Sequence, residues 1–188
     1  MTDMTGNSAG AAPAPAFSID ALAEAVAQKG AVESIAAEIA KLFRVQPTEV
    51  ALLRLEHGFL RFLFPDELKT SGTIPLSSSS SIAAHTAASK RIELFNNFPK
   101  VKHSRIFEMI KLPAPERSER VQPPLIQKLV SAPIHGGDGK VLGVIQICRK
   151  GYNLADSGPD FSLDDVHHLE EVTGILAAAA FLRPEPAA

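Results

Sequence analysis

Cysteine is nearly missing from this chain: Cys148 is the only one in 188 residues. A disulfide framework within one chain is therefore excluded, and so is a cysteine-cluster metal site. A lone thiol suits a reducing compartment. Tryptophan is absent and there is one tyrosine, which argues against exposed aromatic platforms for stacking bases. Charge of one sign is also scarce, with a formal net charge of -2, so no strong field draws nucleic acid or an anionic membrane. No stretch approaches the roughly 18 uninterrupted apolar residues of a membrane span. The N-terminus has no basic region followed by an apolar run, so it does not read as a secretory signal. HExxH, Walker, GxSxG and GxGxxG motifs are all lacking. These absences leave a soluble cytoplasmic protein as the expectation, with neither nucleic acid nor membrane as a partner.

What is present is ordinary globular material, 45% hydrophobic and 21% charged, enough to bury one core. Residues 1–17 open on small residues, Gly and Pro and read as a disordered tail, because they cannot bury enough apolar surface to offset ordering entropy. A single domain is expected over 18–182, with a C-terminal tail over 183–188. Ser18 is placed to cap a first helix carrying Ile19, Leu22 and Val26. Gly30 breaks that run. A second helix follows, with Val32, Ile35, Ala36, Ile39, Leu42 and Phe43 three or four residues apart. Gln46-Pro47 stops it.

Two strands, 50–56 and 59–64, flank His57-Gly58, a two-residue hairpin signal. Residues 66–72 read as a loop, 73–76 as a short strand, 82–89 as a helix after the serine run, and 92–95 as a short strand. Asn96-Asn97 turns the chain. Residues 101–111 read as a helix and 112–124 as a long proline-rich loop. The strands 125–134 and 141–149 are long and apolar, and Gly136-Gly137-Asp138-Gly139 between them is a strong turn. The second is apolar on both faces except for Gln146, which suits a central strand covered on both sides. A last helix begins at Ser162, where Ser162 and Asp165 resemble a capping box. Its inward stripe runs through Val166, Leu169, Val172, Thr173, Leu176 and Ala180. The order of elements predicts an α+β fold with an antiparallel sheet and helices on its faces.

The stretch LVSAPIHGGDGKVLGVIQICRKG…DFSLDDVHHLEEVTGILAAAA resembles the signature of the GAF family. The upstream TIPLSSSSSIAAHTAASKRIELFNN resembles that family's short strand, Ser/Gly-rich turn and pocket helix. The resemblance spans roughly residues 30–182. It implies a GAF/PAS-like, six-stranded antiparallel sheet, with terminal helices on one face and short helices roofing a ligand pocket on the other. It also implies a regulatory role, a homodimer through the terminal helices and a small organic ligand whose identity the residues do not reveal. With no room for an attached output domain, the chain is expected to act by association.

Several side chains are candidates for such a pocket. Ser80 and Ser81 precede a helix start, where free N–H groups and hydroxyls can hold an anion or merely cap the helix. His85 lies on that helix, Phe95 on the following strand, Arg105 and Met109 on the expected roof helix, and Gln146 in the long strand. Arg54 and Arg61 face one another if His57-Gly58 is a two-residue turn, and like charges paired across strands repel. They are expected to flank an acidic partner, either a ligand anion or a carboxylate from a terminal helix; two solvated arginines splaying apart are the alternative.

Lys150, Phe161, Asp164 and Asp165 fall where cyclic-nucleotide-binding GAF members carry an Asn-Lys…Phe…Asp-Glu motif, with Arg149 in place of the Asn and Asp165 in place of the Glu. The resemblance implies a Lys–Asp ion pair there, and a structural bridge with a helix cap serves as well. His167-His168 are about 100° apart on a helix, a poor metal pair. Free methionine sulfoxide reductases share the fold, but their cycle needs a second thiol, and Cys148 sits in an apolar strand. An enzyme is therefore not expected.

Overall fold

The computed structural model describes residues 17–100 and 123–183. Its framework begins at the tight turn His57-Gly58, where both residues take positive φ (50° and 81°), the backbone twist that suits a two-residue hairpin. This joins β1 (Val50–Glu56) to β2 (Phe59–Phe64). The second hairpin pairs β5 (Leu125–His135) with β6 (Val141–Gly151). The short strands β3 (Thr73–Pro75) and β4 (Glu93–Phe95) form the two edges, giving a six-stranded antiparallel sheet in the order β3-β2-β1-β6-β5-β4. The two long strands are thus interior, as the two-sided hydrophobicity of the second predicts for it.

One face of the sheet is covered by α1 (Asp20–Ala27), α2 (Val32–Phe43) and α5 (Leu163–Leu176). Leu22, Ile35, Ile39, Leu169, Val172 and Leu176 pack there onto Val50, Leu52, Val130, Ala132, Ile145 and Ile147. The other face carries α4 (Ile82–Ser89), whose Ile82, Ala83, Ala84 and Ala87 share a cluster with Ala51, Leu53, Val144 and Cys148. Alanine lets α4 lie close to the strands, since its side chain is a single methyl.

Several local expectations shift. Ser18 is not the cap of α1: Ile19 holds that position without a side-chain hydrogen bond, and the Ser18 hydroxyl instead donates to the Asp20 carboxylate at 2.8 Å. Residues 66–72 are not all loop, because Asp66–Lys69 form one helical turn, α3, with Leu68 buried. Ser162 and Asp165 do form a reciprocal capping box at the start of α5, so Asp substitutes for the usual Glu. The expected helix 101–111 and most of the loop 112–124 lie outside the described residues, as do residues 1–16 and 184–188.

Candidate functional site

The register of the long hairpin sets Ser131 opposite Gln146. Strand alternation turns both toward α4, in a layer that is otherwise hydrocarbon. Thr86 projects down from α4, and β4 brings Glu93 opposite Ser131. Ser131 and Thr86 have no exposed surface, and Gln146 is 4% exposed. Buried polar groups of this kind must find one another, and they do. Gln146 Nε2 donates to Ser131 Oγ at 3.2 Å, and Thr86 Oγ1 lies 2.8 Å from Ser131 Oγ and 2.7 Å from Glu93 Oε2. A hydroxyl has one proton to give. The carboxylate can only accept, so Thr86 donates to Glu93 and Ser131 donates to Thr86. The chain of donors therefore runs one way, from Gln146 to Glu93. At its outer end His85 Nδ1 is 2.8 Å from Glu93 Oε1.

This network gathers two of the predicted residues, His85 and Gln146, around three that sequence reasoning passed over: Thr86, Ser131 and Glu93. A signal for one of them was present. Glu93 is the acid in the otherwise apolar strand IELF, whereas Ser131 meets Gln146 only through the register shift between Ile134 and His135, which counting back from Gly136–Gly139 does not anticipate. Phe95 lies two residues beyond Glu93 on the same face, edge-on to Phe98 with ring centroids 6.3 Å apart. Ser81 is the N-cap of α4, its hydroxyl accepting from the Ala84 N–H at 3.3 Å. Ser80 is exposed and shares a hydrogen bond with Ser78. Arg105 and Met109 fall outside the described residues.

Arg54 and Arg61 do face each other across the hairpin. Alternation with Leu52 puts them on the terminal-helix side of the sheet, opposite the face that holds His85 and Gln146. The acid beside Arg54 is Glu56 of its own strand, at 3.0 Å, rather than a carboxylate from a terminal helix. Arg61 is exposed.

The Asn-Lys…Phe…Asp-Glu region is also placed. Lys150 Nζ donates to the Thr48 carbonyl, and its backbone N–H to Glu49, so the Lys–Asp ion pair implied by the resemblance is replaced by a tie to the turn before β1. Asp165 caps α5. Arg149 lies over the Phe161 ring at 4.7 Å and donates to the carbonyls of Phe43 and Arg44 at the end of α2. Lost hydration lowers its pKa, offset by Asp165 and Glu49. A groove of about 790 Å³ opens here, lined by Phe17, Lys41, Arg44, Arg149, Asp165 and His168 among others. Several of its charges are engaged, Lys41 with Glu38, Asp160 with Lys128, Asp165 at the cap of α5 and Arg149 at the end of α2, which leaves the Arg44 guanidinium without an ion pair among the described residues.

Phe161 joins the two faces. Asn96, one residue past β4, donates from Nδ2 to the Phe161 carbonyl at 3.0 Å and accepts the Phe161 N–H at 2.9 Å. The strand carrying Glu93 and Phe95 is thereby fastened to the residue before the cap of α5.

Cys148 is fully buried beside Val144 and Ala51, and burial pushes its thiol up to about 12. A thiol that holds its proton so firmly is no nucleophile at neutral pH. Among the described residues no group of three or more His, Cys, Asp or Glu is placed to hold a metal, and no helix is long and apolar enough to cross a membrane.

No curated protein matches the chain. Solved structures do. A GAF domain from an Acinetobacter phosphoenolpyruvate-protein phosphotransferase superposes with a TM-score of 0.58 at 14% identity, covering 86% of this chain and 90% of that one. A GAF domain of a two-component sensor histidine kinase from Bacillus halodurans gives 0.51 at 20% identity, covering 87% and 94%. A type II free methionine-R-sulfoxide reductase from Thermoplasma acidophilum gives 0.51 at 16%, covering 84% and 93%. At these identities the likeness is one of fold. The family model described as GAF domain matches residues 29–180, which are most of the chain, so this protein belongs to the GAF domain family.

Proposed function

We propose that this chain is a cytoplasmic regulatory GAF domain that receives a small molecule on the α4 face of its sheet and signals through association of its terminal helices. The observation that carries the reading is the one-way polar chain from Gln146 to Glu93. Hydrocarbon in those positions would often serve stability as well as a buried polar network does, so the network's course through the core calls for a further reason. Here the network leads from the centre of the sheet to a half-buried carboxylate and an exposed imidazole, where a ligand could meet it. GAF domains of a sensor histidine kinase and a structure of a methyl-accepting chemotaxis protein are among its structural neighbours, which supports a sensing role.

The route to the helices would be the Asn96 clasp. A ligand that shifts β4 pulls on Phe161, and with it on the cap of α5 and on Arg149 at the end of α2. The outer surface between α1 and α5 includes Ala23, Ala27, Gly174 and Ala178, small residues that would let a second copy approach closely, with Lys29 and Arg183 beside them. Catalysis is disfavoured by the chemistry of the lone thiol, although a sulfoxide reductase shares the fold.

A second reading has its own support. The alanines of α4 sit directly on Ala51, Val144 and Cys148, so part of this face is already filled, as in a module that only docks partners. Native mass spectrometry of freshly purified protein, followed by hydrogen exchange with and without any compound found, separates the two. A sensor should carry or accept a compound that protects α4, β4 and the first turn of α5. Dimers that carry no compound, and protein that no metabolite stabilises thermally, would leave the docking module in its place.

A further inference from the structure

The geometry points to a cationic group, an amine or related ammonium, as the part of the ligand that Glu93 holds. This rests on the reading of the α4 face as the receiving site and specifies its chemistry. Glu93 is the acceptor on which the donor chain ends, with Oε2 taken by Thr86. Oε1 has a different kind of neighbour. Among the described residues the ion-pair partner of Glu93 is His85 alone, an imidazole whose side chain is 65% exposed while that of Glu93 is 18% exposed. A half-buried carboxylate is held best by a full positive charge. Among the described residues the nearby cations do not supply one: Lys90 Nζ reaches the Gly139 carbonyl at 3.5 Å, and Arg91 stands exposed ahead of the strand.

The aromatic neighbours agree with the charge. Phe95 lies on the same face of β4, about 7 Å along the strand from Glu93, and Phe98 meets it edge-on. Ring faces attract a cation held within about 6 Å of them. They give an anion nothing, and Glu93 repels one. β4 is also an edge strand, so its carboxylate can be approached without parting a strand pair. An ammonium would take Oε1 from His85 and rest against Phe95.

The test is a charge series on one ring: benzylammonium, benzyl alcohol and benzoate, titrated into the full chain at low salt by thermal shift and heteronuclear NMR. Benzylammonium is expected to raise the melting temperature and to move the resonances of His85, Glu93 and Phe95, while benzoate does neither. Glu93→Gln should weaken benzylammonium by about tenfold or more. Because that variant also disturbs the donor chain, His85→Ala is the second arm. It leaves Glu93 in place, removes the competitor for Oε1, and should tighten benzylammonium a few-fold, an effect a purely structural histidine would not produce. Benzoate or benzyl alcohol binding at these residues as well as benzylammonium would overturn the cation assignment while sparing the receiving face. If neither a probe nor a co-purified compound contacts α4 or β4, both the assignment and the function proposed above are lost.

Discussion

The two faces of the sheet are built on different principles from the same strands. Toward α1, α2 and α5 the strands present Val50, Leu52, Val130, Ala132, Ile145 and Ile147, hydrocarbon against hydrocarbon. Toward α4 they also present hydrocarbon, Leu53, Leu60, Phe62, Leu129 and Val144, but it surrounds the buried polar pair Ser131 and Gln146. Apolar packing is strong and has no preferred direction. Hydrogen bonds add little net stability, yet they are costly to leave unmade, so they fix one register and one orientation. The terminal-helix face therefore supplies cohesion, and the α4 face fixes the position of one helix over one spot. A face of the second kind is where a receptor site can be set without loosening the domain.

The largest effect that would break this contrast is a cavity in the hydrocarbon face. Leu169 of α5 has no exposed surface. Leu169→Ala should destabilise the protein by about 2–5 kcal/mol, since lost transfer energy and an unfilled hole add together. Urea unfolding should show a lower midpoint at an unchanged slope. A loss below about 1 kcal/mol would mean that α5 contributes little cohesion.

On the opposite face the comparable substitution keeps volume and removes a bond. Thr86→Val preserves shape, but Glu93 loses a donor and the Ser131 proton loses its acceptor. The expected cost is about 1–3 kcal/mol, less than for Leu169→Ala, and Thr86→Ser should recover most of it. If valine stabilised the protein, the polar chain would be a burden retained for function alone, which sharpens the contrast further.

Most of the framework was legible in the sequence because it rests on short-range signals: the 3.6-residue period of α2, the two-sided hydrophobicity of β6, His57-Gly58, and the box at Ser162. The legible part of the site was narrower. Gln146 stood out as the polar residue of an apolar strand, and His85 by its place on the helix after the serine run. Glu93 was visible only as the acid in IELF and Thr86 not at all, because their meaning depends on β4 lying beside β5 under α4, a packing across the fold that local pattern does not encode. Arg54 and Arg61 were paired correctly, but pairing alone does not say which face they join. Asn96 read as a turn residue, and only its contact with Phe161, 65 positions away, makes it a clasp.

Cys148 gives a smaller effect with a definite sign. Its thiol is raised from an ordinary 9.0 to about 12. Below pH 9 both folded and unfolded chains keep the proton, and the thiol adds no pH dependence. Between about 9 and about 12 the unfolded chain releases it and the folded one does not, so stability should fall as pH rises through that window. Unfolding measured from pH 8 to 11 should be flatter for Cys148→Ala than for the parent. Equal slopes would show that the thiol reaches water, contrary to its place beneath α4.

The smallest effect belongs to a pair that neither face uses for packing. Arg54 and Arg61 are directly opposed, and Arg54 is held by Glu56 with its Nε buried and unpartnered. Cross-strand like charges cost up to roughly 1 kcal/mol, but Arg61 is exposed and water screens it. Arg61→Glu replaces repulsion with attraction at an unchanged backbone, and should stabilise the hairpin by no more than about 0.5 kcal/mol, diminishing with salt. The sign matters more than the size. A loss of more than about 1 kcal/mol would mean that Arg61 answers to an acidic partner after all, and that the terminal-helix face holds a polar site of its own.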